Sequence, residues 1–361
     1  MPEEHRGEAL SEGLLARVRY VPRHMGHHGR HSGYDLLFRH MGLREAYSPT
    51  LAWIGRHMPK SIAWRLWQMR PQAVNRDGLA PELGAARWAR GGARRVCHFI
   101  YGEDTFFFTP LWRGARNRMI ASFHYPPSLL QERVSPAAAG ALDAVILLGN
   151  NQREYFERLL PRERIFLSPH HVDTGFFSPP AAARAEASAL RAICAGVLFR
   201  DFDVLADLIE RAHASRTPFR FDLVIPVMPA KERERFARLP NTHLHSGISD
   251  AELVELYRAA DIGIMPMTDC TANNALLEMM ACGLPVVASD VGAIRDYASP
   301  EGALLVPPRD ADAFSEAVMR LAGERESRLR MGAANRKRAE SEFSLDRCAV
   351  RMREIYEQML F

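Results

Sequence analysis

The feature that most constrains this fold is an alternation, running through both halves of the chain, of short apolar runs with amphipathic stretches of helical period. Runs this short and this apolar suit strands covered on both faces, and the amphipathic stretches supply the helices that cover them. In the first half, strands are expected at 16–21, 95–101, 118–124, 143–149 and 165–168, with a helix over 151–160. In the second half, strands are expected at 192–198, 221–227, 241–245, 262–266, 285–289 and 303–306. Helices are expected there at 204–213, 231–238, 250–260, 310–323 and 345–360, with Asp250 as an N-cap. The reading is α/β, with parallel sheets flanked by helices in both halves.

At 361 residues the chain exceeds one typical core, so two domains are expected. Residues 1–178 form the first and 192–344 the second. The small-residue and proline stretch within 179–191 is the linker. No window holds 18 uninterrupted apolar residues, and the first residues are polar and acidic where a signal peptide would be basic and then apolar. A cytoplasmic protein is expected. The five cysteines Cys97, Cys194, Cys270, Cys282 and Cys348 are odd in number and widely spaced, which argues against a disulfide framework. Net charge is +4, yet residues 1–130 hold 19 Lys and Arg against 10 Asp and Glu. Such a basic half suits an anionic partner, including peripheral contact with the inner face of an anionic membrane, or is a solvated arginine-rich face. Residues 56–70, with Trp64, Leu66, Trp67 and Met69 among basic residues, read either as an interfacial segment or as a core-facing helix. No nucleic-acid module is present.

The segment 269–290, DCTANNALLEMMACGLPVVASD, carries the most chemistry. Asn273 and Asn274 are good N-caps, Ala275 opens a helical pattern, and Gly283 with Pro285 stops it before Val286 and Val287. Glu278 is expected in the first turn and exposed, where it either complements the helix dipole or accepts two hydrogen bonds from a ribose diol beside an anion held at the helix N-terminus.

The run from Leu276 to Ser289, followed by Asp290, Val291 and Gly292, resembles the signature of retaining glycosyltransferases of the GT-B fold, family 4 (group 1). The resemblance implies two Rossmann-like domains with parallel sheets facing across a cleft, a nucleoside diphosphate sugar on the C-terminal domain, and a last helix, 345–361, crossing back to the N-terminal one. It implies transfer of a hexose, with a UDP-sugar as donor, to a glycan, lipid or small-molecule hydroxyl, with retention and without a metal or resident cofactor. Two other readings remain open: a non-catalytic nucleotide-sugar-binding subunit, and a GT-B epimerase acting on a nucleotide sugar. The family pattern has two glutamates; the second falls on Glu278, and Cys270 stands where the first is expected, with Asp269, Thr271 and Asn273 beside it to orient sugar hydroxyls.

By the same resemblance, Gly33 lies where the backbone approaches a donor phosphate and His124 where a histidine faces the sugar. Gly196 and Arg200 occupy the place of the family's cationic loop, with Arg200 as the cation meeting the leaving diphosphate and Lys231 and Arg233 in reserve. Gly247 matches the turn against the base. Glu103 and Asp104 are acceptor-side candidates for positioning a hydroxyl or acting as base. His24, His27, His28 and His31 suggest a metal at first sight, but no acids cluster with them and none is expected. His170 and His171, in PHHVDTGFF, replace Asn and Gly of a family element. If His171 needs a positive φ, that is uncommon for a non-glycine residue, although His is among the tolerated types.

Overall fold

A computed structural model describes residues 13–22, 29–46, 76–89, 94–103, 116–134, 136–182 and 188–361, together with 50, 53, 54, 57–59, 61 and 62. Most of 56–70, and 183–187 of the linker, lie outside the described residues. The chain divides into two compact units. One holds the described residues of Met1–Gly26, Gly33–Ser168 and Cys348–Phe361, and the other those of His27–Ser32 and Pro169–Arg347.

In the first unit, β1 (Val18–Val21), β2 (Arg44–Glu45), β3 (Val96–Phe99), β4 (Arg118–Phe123), β5 (Ala144–Leu147) and β6 (Ile165–Leu167) form one sheet. Its order is β2-β1-β3-β4-β5-β6, and its pairs are parallel. Every residue of β3 and β5 is buried, as near-continuous apolar runs require when helices cover both faces. The helix Leu345–Leu360 anchors its second half here: His98 of β3 is hydrogen-bonded to Tyr356 Oη at 2.7 Å and to Ser122 Oγ at 2.8 Å. Burial, with His124 nearby, lowers the His98 pKa to about 3, so this ring is a neutral structural link.

The second unit repeats the design with β7 (Leu190–Ala195), β8 (Phe219–Val224), β9 (Thr242–His245), β10 (Ile262–Met265), β11 (Val286–Ser289) and β12 (Ala303–Val306). The order is β12-β11-β10-β7-β8-β9, again parallel. The helix Phe202–Ala214 is capped by Asp201, which accepts from the Val204 N–H, and it buries Val204, Leu205, Leu208, Ile209 and Ala212. One expected cap is corrected. Ser249, not Asp250, caps the helix Asp250–Ala259, in a reciprocal pair with Glu252, because Ser249 alone has the extended backbone a cap needs.

The helix Arg325–Arg338 has no counterpart in the sequence reading, since it is strongly polar and only Met331, Gly332 and Asn335 are buried on it. Those few residues hold the end of the helix Asn274–Ala281. Asn335 Nδ2 donates to the carbonyls of Leu284 at 2.7 Å and Gly302 at 2.8 Å, and Arg336 donates to Ala281 O at 2.7 Å. A Cβ at Gly332 would lie 2.1 Å from Gly283 O, so only glycine lets the two backbones meet. On the sheet side, a Cβ at Gly263 of β10 would lie 2.5 Å from Met279 Sδ, and its absence seats this helix on the strand. Gly332→Ala is therefore expected to destabilise the protein by about 1–3 kcal/mol through overpacking, read as a lower urea midpoint.

Candidate functional site

The helix Asn274–Ala281 begins as the sequence suggests: Asn273 is in the extended region and its Oδ1 accepts from the Leu276 N–H at 3.2 Å. Two expectations for Glu278 are corrected. With Asn274 as the first helical residue, Glu278 is the fifth and sits in the second turn, and it is buried at 5% exposure. Its Oε1 accepts from Ser32 Oγ at 2.8 Å and its Oε2 from Tyr257 Oη at 2.8 Å. Burial pushes its pKa up to about 7, the two hydrogen bonds oppose that rise, and Asp250 adds to it. Tyr257, buried beside this acid, is held well above its ordinary range and so remains a donor.

Around Glu278 lies a recess of about 210 Å³, part of it open to solvent, lined by His31, Ser32, His170, His171, Val172 and Asn274. Asn274 Nδ2 donates to Ser32 O at 2.9 Å, and the His31 N–H donates to Asp250 Oδ2 at 2.8 Å. The His31 ring stacks on Phe176 at 3.8 Å and 4°, with Nδ1 2.7 Å from Asp173 Oδ2. Asp173 Oδ1 accepts from the N–H groups of Gly175 and Phe176, both at 3.1 Å, which fixes the turn that carries it. The rings of His170 and His171 are 4.5 Å apart, and the His170 N–H donates to Tyr297 Oη. His171 is not among the residues with positive φ, so replacing glycine costs no left-handed strain there.

Arg200 does not reach outward. Its Nε donates to Ala195 O at 3.0 Å and its Nη1 to Leu198 O at 3.4 Å, with further bonds from Nη2 to Ala195 O and from Nη1 to Met267 Sδ. Expected as the cation that meets the leaving diphosphate, it here serves the backbone: the β7 loop turns at Gly196 (φ 90°), and buried carbonyls there demand donors that the guanidinium supplies. A Cβ on Gly196 would lie 3.0 Å from Nη2, so that glycine gives the arginine its room.

Cys270 is likewise buried, at 2% exposure in the core with Met267 and Leu276, and does not stand open to a sugar. Burial pushes its thiol up to about 12. Thr271 is buried, Asp269 Oδ1 accepts from the Cys270 N–H at 2.8 Å, and Asn273 is spent on capping. Lys231 is exposed on the helix Ala230–Ala237, as is Arg233, and Gly247 is exposed with φ 68°.

In the first unit, Gly33 is buried and its carbonyl accepts from the Leu36 N–H. His124 follows β4, with its ring 4.2 Å from Tyr34 and 4.5 Å from Tyr101. Glu103 is fully buried: its Oε1 accepts from the N–H groups of His124 and Tyr125, and Oε2 lies 3.8 Å from His124 Nδ1. Its observed work is to hold the His124 loop in place. Asp104, His24, His27 and His28 lie outside the described residues. Among the described residues no group of three His, Cys, Asp or Glu is placed to hold a metal ion, and no helix is long and apolar enough to cross a membrane. Ser32 and Tyr257 went unrecognised as site residues, because a lone serine in a loop and a tyrosine inside a helix carry no local signal of their shared partner.

The paired parallel-sheet units are those of the GT-B fold. The chain resembles the glycosyl transferases of group 1, and residues 189–324 match that family's model. It is similar to the MMP alpha-(1->4)-mannosyltransferase of Mycolicibacterium hassiacum, with 29% identity over 204 residues, 55% of this chain and 49% of that protein. It is also similar to a D-inositol 3-phosphate glycosyltransferase of Acidothermus cellulolyticus, with 32% identity over 282 residues, 70% of this chain and 62% of that one. The chain thus spans less than two thirds of the length of these relatives. Among solved structures, HepE of Anabaena in complex with UDP-glucose matches with TM-score 0.66 and 12% identity over 97% of this chain and 94% of that one. Sucrose-phosphate synthase of Thermosynechococcus elongatus matches with TM-score 0.64 and 21% identity, over 84% and 80% of the respective chains. Both likenesses are of fold.

The Glu278 carboxyl has a consequence for stability. Its pKa is raised in the folded state from 4.5 to about 7, so between these values the folded chain keeps a proton that the unfolded chain releases. Stability should therefore fall as pH rises through that window, by of the order of 3 kcal/mol. Urea denaturation from pH 4.5 to 8 should show this loss in the parent protein relative to Glu278→Gln, which removes the titrating group.

Proposed function

We propose that this protein is a retaining glycosyltransferase that moves a hexose from a nucleoside diphosphate sugar, a UDP-sugar, to an acceptor hydroxyl on a glycan, lipid or small molecule. The observation that carries the reading is Glu278, held against the recess by the helix that Asn273 caps. The carboxyl accepts hydroxyl donors, as it does from Ser32 and Tyr257, and a ribose diol offers the same chemistry. Asn274 brings the start of the helix to the recess, where backbone N–H groups and the dipole favour a diphosphate. The group 1 match over residues 189–324 and the UDP-glucose complex of HepE support a nucleotide-sugar donor.

In this reaction the bond from the anomeric carbon to the diphosphate oxygen breaks and a bond to the acceptor oxygen forms on the same face. The acceptor proton passes to the departing phosphate, so no side-chain nucleophile is required. His124, fixed between Tyr34 and Tyr101, is the residue assigned to the donor sugar, and Glu103 positions it. Lys231 and Gly247 remain candidate donor contacts. Site of action is read as the cytoplasm, with peripheral contact at the inner membrane face.

A second reading has an observation of its own. Arg200 is committed to backbone carbonyls and Cys270 to the core, which would suit a subunit that binds a nucleotide sugar without turnover. A donor screen for nucleotide release, with glycan and lipid acceptors, separates the two, since accelerated release requires the enzyme. In calorimetry, Glu278→Ala is expected to weaken UDP binding by about 1.5–3 kcal/mol, and unchanged affinity would remove Glu278 from the site. Transfer is expected to persist in EDTA. Loss of activity restored by Mg²⁺ or Mn²⁺ would overturn the metal-independent route.

A further inference from the structure

Residues 31 and 32 are tied into the second unit by a set of contacts that converge on the recess. Ser32 Oγ donates to Glu278 Oε1, Ser32 O accepts from Asn274 Nδ2, the His31 N–H donates to Asp250 Oδ2, and the His31 ring is pinned by Phe176 and Asp173. A loop of ordinary surface character makes no such concentration of bonds to one helix start and one buried acid. Two of these bonds fall on Glu278 and Asn274, the groups to which the proposed function gives the ribose and the diphosphate.

The recess is also too small for such a ligand. It leaves only about 10 Å³ for the centre of a water-sized molecule, room for about one water and not for a nucleotide. His31 and Ser32 form one of its walls, so withdrawing them would enlarge it and free Glu278 Oε1 together. Tyr257 approaches the other oxygen and can stay in place.

We infer that residues 29–32 act as a strap that closes the donor site, with the Ser32 hydroxyl standing where a ribose hydroxyl binds, and that a nucleoside diphosphate enters by displacing it. The inference rests on the nucleotide-sugar reading for its ligand, but the strap itself does not. The groups that face it are Asp173 and Asp250, which hold His31, and Glu278, which holds Ser32, while the imidazoles of His170 and His171 line the same recess. Displacement exchanges one hydroxyl donor on Glu278 for another, so the acid is not left unsatisfied at either end of the process.

The test uses the full chain and two measurements. In calorimetry at neutral pH, Ser32→Ala is expected to bind UDP about 5- to 10-fold more tightly than the parent, because one competing hydrogen bond is gone. Unchanged or weaker binding overturns the strap, and weaker binding would make Ser32 a direct ligand contact. In hydrogen exchange followed by NMR, the His31 amide should be protected in the free protein and lose that protection at saturating UDP. An amide that exchanges as fast as an open loop in the free protein overturns the strap whatever the nucleotide does. If neither protein binds UDP, the donor reading falls and exchange alone decides the strap. Thermal melting of Ser32→Ala, expected to stay cooperative and to fall by only a few degrees for the donor lost from Glu278 Oε1, guards against reading a folding defect as an affinity change.

Discussion

The site in the second unit depends on keeping one carboxyl, that of Glu278, out of water. An isolated buried acid is costly, and this chain meets the cost in two ways: two hydroxyl donors, one on each oxygen, and a pKa raised to about 7 that leaves the group partly protonated at neutral pH. Neither works unless the helix is fixed to within a fraction of an ångström. Hence the arrangement at its two ends, with the Asn273 cap at the start and the close approach of Gly332 to Gly283 at the finish. Between them, the missing side chain of Gly263 lets Met279 sit down on β10. The polar helix Arg325–Arg338 is thus tied to the chemistry through backbone packing and the bonds of Asn335 and Arg336, although none of its residues lines the recess.

The departures from the family pattern have local physical causes. Arg200 turns inward because the carbonyl of Ala195 lies at a tight turn and is satisfied by its guanidinium. Cys270, small and weakly polar, joins the core that a glutamate could enter only with partners of its own. The recess is in consequence lined by imidazoles, an amide, a hydroxyl, a carboxyl and the Val172 side chain, with no Arg or Lys among its described lining residues. Such a lining recognises hydroxyls and amide-like groups by geometry, and its charge responds to pH in the neutral range through Glu278.

Much of this architecture was legible in one sequence. The strands other than β2 are short, mostly apolar and separated by helical periods, so their positions follow from local pattern, as does the cap Asn273. The placement of Glu278 on the helix after Asn273 was also legible, because caps and stop residues fix a helix within a turn. Its burial was not. The error of one turn at Glu278 and the shift from Asp250 to Ser249 arise at helix starts, where adjacent polar residues compete as caps and only backbone angles decide between them.

By itself the sequence determined two parallel α/β sheets, the helix that carries Glu278, and the resemblance that points to a nucleotide sugar. These rest on interactions within a few residues, which a linear pattern records. Tertiary structure alone decided that Ser32 and Tyr257 would share that carboxyl, that Asp173 would hold His31, and that Arg200 would spend its charge on carbonyls. It also made a nearly uniform polar stretch, 325–338, into a helix that fixes the site. A hydrogen bond such as that of Ser32 to Glu278, 246 residues apart, leaves no period or spacing in the chain, because it is set by where the sheet brings distant loops, and by the need of each buried polar group for a partner.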